Sequence, residues 1–260
     1  MTGSYDDGAA AYERGDYETA RRLWLPLAEG GDADAQTMLG IIFEEGLGIP
    51  HDYAAAMTWY RRAAHQGDPD AQFCLAGMYD NAKGIPRDPT AVVRWLRKAA
   101  DKGHAGAQFN LGWLYEYGEG VSQEYASAAA AWYRRAAEQG NKSAQNSLGV
   151  MYQNGNGVQR DYFAATAWFQ KAADQGDAHG QFNLGLSYER GHGVEQDYCA
   201  AAVWYRRAAD QGARQCAVLF RRASPERPRC HSGLPCRRGL VPERSRTGPR
   251  SCSTQSRGHV

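Results

Sequence analysis

The sequence predicts an all-α fold, a solenoid of antiparallel helix pairs, on three observations. The pair Ala35-Gln36 returns as Ala71-Gln72, Ala107-Gln108, Ala144-Gln145 and Gly180-Gln181, at steps of 36, 36, 37 and 36 residues. Small and apolar residues between the returns keep a helical spacing, and glycine and aspartate recur where helices stop and start. The largest residue, tryptophan, returns at one place in each full unit, followed by a second aromatic in four of the five, as in Trp168-Phe169 and Trp204-Tyr205. A fixed period in this range is the signature of stacked supersecondary units, each too small to bury its apolar face alone.

The fourth full unit shows how each element arises. Ala144, Leu148, Gly149 and Tyr152 fall at i, i+4, i+5 and i+8, one face of a first helix. Gly155 and Gly157 end it, because glycine takes positive φ without a Cβ clash. Asp161 suits the N-cap of a second helix, where its carboxylate accepts orphan backbone N–H groups. That helix carries Tyr162, Ala165, Trp168, Phe169, Ala172 and Ala173, and Gly176 stops it. Gly149 and Ala165 allow close helix approach, and Trp168 and Phe169 are expected to fill the gap to the next unit.

The units divide the chain into an N-terminal capping half-repeat (5–31), five repeats (32–67, 68–103, 104–140, 141–176 and 177–212) and a tail (213–260). Two copies depart from the pattern: the second has Ala82 for glycine and Pro89 for tyrosine, and the third has Glu124 for aspartate and one extra residue before Trp132. These changes are expected to loosen or kink the stack locally.

This pattern resembles the Sel-one-like repeat family, a branch of the tetratricopeptide superfamily, over roughly four-fifths of the chain. The resemblance implies a right-handed α-solenoid and a bacterial or eukaryotic scaffold that holds protein complexes together; a bacterial source is expected. It implies a non-enzymatic adaptor that binds a partner polypeptide in a concave groove lined by first helices. By that alignment the groove residues are Phe73, Phe109, Asn110, Trp113, Glu116, Asn146, Ser147, Phe182, Asn183 and Glu189. The asparagines would bond the backbone of an extended peptide and the aromatic residues would form apolar pockets. The acids would steer a basic or amine-bearing partner. An alternative for the phenylalanines is packing between neighbouring first helices. The groove lacks the paired Lys and Arg with which tetratricopeptide clamps hold a C-terminal carboxylate.

A hydrolase acting on β-lactam or peptidoglycan is the alternative function. It belongs to a cysteine-rich branch of the family whose members carry cysteine pairs within each repeat, and this chain lacks those pairs. No glycine loop follows a strand as phosphate binding requires, the seven His show no metal-ligand spacing, and no cofactor is expected. Cys74 and Cys199 read as small core fillers. No apolar run approaches the ~18 residues of a membrane span. The N-terminus lacks the basic and apolar regions of a secretion signal, so the chain reads as cytoplasmic. A periplasmic or secreted mature chain would read the same way. A monomer is expected.

The net charge of +1 hides two opposite halves. Residues 213–260 hold eleven Arg, no Lys and two Glu, 11 − 2 = +9, while residues 1–212 carry 19 basic and 29 − 2 = 27 acidic residues, 19 − 27 = −8. An acidic folded part argues against nucleic acid as the partner. The tail has four of the six cysteines, five of the ten prolines, and none of the Trp or Tyr. Its composition predicts a disordered segment, and a metal site is disfavoured by the spacing of Cys230, His231 and Cys236.

A third reading of the tail comes from the genetic code. Read one base later, the codons of Cys216 and Ala217 permit Ala-Gln, 36 residues after Gly180-Gln181. Arg227, Arg229 and Cys230 then permit glycine, glycine and valine; Gly233-Leu234 permit Asp-Tyr; Leu240-Val241 permit Trp-Tyr; and Cys252-Ser253 permit the next Ala-Gln. Ser224 does not permit the tyrosine expected at its place, but the matches in register outnumber it, so the tail is read as a frameshifted repeat, which would leave Trp204 and Tyr205 partly exposed for want of a neighbour.

Overall fold

The computed structural model describes residues 4–117 and 126–211, and over these the chain is an α-solenoid of twelve helices with no strand. The first helices of the pairs are α1 (Tyr5–Glu13), α3 (Ala33–Glu45), α5 (Pro69–Asp80), α7 (Ala105–Tyr117), α9 (Lys142–Asn154) and α11 (Ala178–Arg190). The second helices are α2 (Tyr17–Glu29), α4 (Tyr53–Gln66), α6 (Pro89–Asp101), α8 (Ala126–Glu138), α10 (Tyr162–Asp174) and α12 (Tyr198–Asp210). Each helix packs on the one before it and the one after it. The tail, with the frameshift reading, and Glu124 lie outside the described residues.

Helix starts follow the aspartates. Asp32, Asp68 and Asp177 cap first helices, each accepting the N–H three residues on at 2.6–2.7 Å, and Asn141 does the same at 2.9 Å. Asp52, Asp88, Asp161 and Asp197 cap the second helices. Pro89, expected to disturb the stack, sits at the first position of α6, where its missing N–H has no helical partner to lose. Ala82 takes the left-handed φ of 52° that glycine takes in the other copies, Gly46 at 65°, Gly155 at 77° and Gly191 at 69°. The strain of that substitution therefore stays within one turn.

Tight approach of a first helix to its own partner builds the core. A Cβ on Gly149 would lie 2.5 Å from the Phe169 ring, one on Gly185 2.7 Å from Tyr205, and one on Gly112 2.8 Å from Tyr133. Phe169, Tyr205, Tyr133 and Tyr60 are fully buried, each with its ring on a glycine of its own unit's first helix. This corrects the expectation that Tyr205 is exposed, whereas Phe169 also shares a core cluster with Leu184 of the next unit, as expected. The preceding tryptophan behaves differently. Trp59, Trp132, Trp168 and Trp204 are half-buried, each with the cation three residues on across its ring: Arg62, Arg135, Lys171 and Arg207 at 4.0–4.7 Å. Trp204 is thus half-buried, as its internal counterparts are.

The recurring glutamine ties three helices together. Gln108 Nε2 donates to the Ala100 carbonyl at the end of α6, and its Oε1 accepts from Gln139, just past α8, at 2.7 Å. The same pair of bonds recurs at Gln36, Gln145 and Gln181, all buried. A buried carboxamide satisfied at both ends fixes the spacing of successive units.

Candidate partner-binding face

Positions 109, 113 and 116 of α7 fall on one stripe, with 110 beside it, turned away from the buried Leu111, Leu114 and Tyr115. The equivalent stripes of α5, α9 and α11 carry the other candidate residues. Asn183 Nδ2 donates to Asn146 Oδ1 at 2.8 Å, so neighbouring stripes on α9 and α11 touch. That bond engages both asparagines with each other.

The phenylalanines are half-buried. Phe109 and Phe182 lie 5.7 and 5.8 Å from Tyr133 and Tyr205 of their own pairs. Phe73 stacks at 4.4 Å on His104, which bridges to the next unit. Trp113 differs: it is 39% exposed and packs at 4.9 Å on Tyr117, itself 57% exposed. Sequence reading passed over Tyr117, whose position at the end of α7 lies four residues after Trp113 and so on the same side.

The acids have internal partners. Tyr133 donates to Glu116 at 2.7 Å and Tyr205 donates to Glu189 at 2.5 Å, as Tyr60 does to Glu44 at 2.7 Å. Burial, followed by the bond to Glu116, pushes the Tyr133 phenol up from its ordinary value. Ser147 of the next unit acts on the same Tyr133 phenol in the opposite sense, lowering its pKa. A covariation within the chain could have revealed this pairing: the fourth unit has Phe169 and Gln153 at the two positions, and the second has Leu96 and Asp80.

Other polar groups sit on the same layer. Lys83 reaches back to Glu44 at 2.9 Å. Burial works against its ammonium, but the Glu44 bond and charge outweigh it and raise its pKa. His104 Nδ1 accepts the Ala107 N–H at 3.0 Å, standing in for the usual aspartate cap, and its Nε2 faces Asp70 at 3.2 Å. The bond from His104 holds Asp70 below the usual carboxylate range. Burial, then the charges of Asp68, Asp32 and Asp70, push Asp34 up. Helices α3, α5 and α7 carry six acids and no Lys or Arg, whereas α4, α6 and α8 carry seven Lys or Arg and two acids. The two layers thus have opposite charge.

Cys74 and Cys199 are half-buried. Among the described residues no group of three or more His, Cys, Asp or Glu is placed to hold a metal ion, and no helix is long and apolar enough to cross a membrane.

The Sel1 repeat model matches six consecutive segments, 3–32, 33–68, 69–104, 105–141, 142–177 and 178–212. Among solved structures, a Sel1 repeat protein from Oxalobacter formigenes is 32% identical, over 83% of this chain and 86% of that one, with a TM-score of 0.77. A protective antigen of uropathogenic Escherichia coli displaying an SLR fold is 33% identical over 84% of this chain, with a TM-score of 0.73; the match spans 51% of the antigen's length. An immunity protein from Pseudomonas aeruginosa shares the fold at 19% identity and a TM-score of 0.53, covering 82% of this chain and 87% of that one. No curated protein matches the chain.

Proposed function

The chain belongs to the Sel1 repeat family, whose members generally mediate protein–protein interactions, and from that premise we propose that it is a non-enzymatic adaptor holding a basic polypeptide segment on its first-helix layer. The observation that carries this reading is the exposed Trp113–Tyr117 pair, set in a layer whose helices α3, α5 and α7 bear acids and no cations. An aromatic anchor surrounded by one sign of charge supplies both contact area and steering. Asn110, half-buried beside Trp113, is positioned to bond a peptide backbone. Glu116 supports the layer's charge while orienting Tyr133.

The test is capture of partners by wild-type protein and by the double variant Asn110→Ala, Trp113→Ala. Loss of partners that the wild type retains, with weaker capture as salt rises, supports the reading. Equal capture by both proteins overturns it. Turnover of a chromogenic β-lactam that copurifies with the protein through successive columns would replace the adaptor with a hydrolase.

A further inference from the structure

Each junction between units is closed by contacts at a constant distance along the chain. A glutamine Nε2 donates to an alanine carbonyl eight residues earlier, at the end of the preceding second helix: Gln36 to Ala28, Gln72 to Ala64, Gln108 to Ala100, Gln145 to Ala137 and Gln181 to Ala173. A loop glycine at positive φ lies on the first residue of the preceding second helix, 31 residues earlier: Gly48 on Tyr17, Gly84 on Tyr53, Gly157 on Ala126 and Gly193 on Tyr162. At Gly157 and Gly193 a side chain would run into the backbone of that helix.

The last described pair, α11–α12, presents the receiving half of both contacts. Ala209 occupies the place of Ala173, and Tyr198 that of Tyr162. Tyr162 is half-buried, with Gly193 upon it and His192 stacked at 4.3 Å. Tyr198 is 48% exposed and borders an open cavity of about 700 Å³ shared with Phe182, Leu186 and His192.

The constant distances say where the donors must fall. Ala209 calls for a glutamine at 209 + 8 = 217, and Tyr198 for a glycine at 198 + 31 = 229. Read one base later, the codons of Ala217 and Arg229 permit those two residues. A third spacing agrees. Gly185 admits the Tyr205 ring 20 residues on, and in the shifted frame Arg221 permits glycine and Val241 permits tyrosine, 241 − 221 = 20. After Gly212, 260 − 212 = 48 residues remain, more than the 36 of one unit.

We propose that the open face of α11–α12 is a docking surface for one further helix pair of the same pattern, and that its occupant is the segment from 213 to 248 as encoded one base later. In a stack whose stability is a sum of units and interfaces, that pair would protect α12 and cover Tyr198.

The coding DNA is the first test. Codons for glutamine at 217 and glycine at 229 in the shifted frame are expected, and any other residues there overturn the proposal. Second, the chain with that frame restored is compared with the chain as given by hydrogen exchange and by acylation of Tyr198. The α12 amides should exchange more slowly by on the order of tenfold, and Tyr198 should lose reactivity. Replacing the restored glutamine with alanine should return part of the exchange rate. Unchanged exchange, or a restored chain that fails to fold, overturns the proposal, because a pair that fits the face stabilises the stack. Protection of α12 that grows with concentration in the chain as given would assign the face to a second copy and also overturn it.

Discussion

Lys102 stands where Gln139, Gln175 and Gln211 stand in the other units, and its ammonium turns away from Gln72 to donate to the Gly67 carbonyl at 2.6 Å. The Gln72 side-chain oxygen, buried, is left with no hydrogen bond. Replacing Lys102 with glutamine restores the missing donor. Since an unsatisfied buried acceptor costs about 1–3 kcal/mol and the Gly67 bond is lost in exchange, Lys102→Gln should stabilise the protein by about 1 kcal/mol in urea unfolding. Equal or lower stability would show that the ammonium already meets the need of this junction.

Ala82 holds a conformation that costs a residue with a Cβ about 1–2 kcal/mol, at a φ of 52°. Glycine removes that strain but gains freedom in the unfolded chain, which offsets part of it. Ala82→Gly should raise stability by about 0.5–1 kcal/mol, and Gly46→Ala, at the equivalent turn, should lower it by a similar or larger amount. Thermal unfolding of the two variants checks the opposed signs.

The Tyr133–Glu116 bond at 2.7 Å predicts coupling between two substitutions. Tyr133→Phe leaves a partly buried carboxylate without its donor, and Glu116→Gln weakens the bond by removing the charge. Each should cost about 1 kcal/mol. The double variant reproduces the Phe169–Gln153 combination of the fourth unit, so it should cost clearly less than the two single changes added together. A double-mutant cycle measures this, and simple additivity would mean the bond contributes nothing.

Acid should weaken the α5–α7 junction. Asp70 titrates below its ordinary value because His104 bonds it, so its contribution is complete above an unfolded pKa of about 4 and fades as pH falls through the lower folded value. Its side chain is largely exposed, which keeps the effect to a few tenths of a kcal/mol. Asp70→Asn should therefore be slightly less stable than wild type at neutral pH and equal to it in strong acid. A gap that stays constant across the titration would rule out the carboxylate as the cause.

The helices, their caps and their order could be read in advance because they depend on near neighbours: Asp161 and its own turn, Gly155 and its own helix end. The candidate face was only partly legible. Spacing put Phe109, Trp113 and Glu116 on one stripe, but it could not tell that Trp113 is exposed while Glu116 is held by a tyrosine 17 residues away. His104 as a cap and Tyr117 as an exposed partner escaped notice, since one departs from the repeat's aspartate and the other lies at a helix end.

By itself the sequence determined an all-α stack of repeating pairs, because a period of about 36 residues repeats the same local helix and turn chemistry. Only the tertiary structure decided that Tyr205 turns inward on Gly185 while Trp204 stays at the rim under Arg207. It alone decided that the glutamines join three helices. Those outcomes depend on how closely helices approach across tens of residues, a distance that periodicity does not encode.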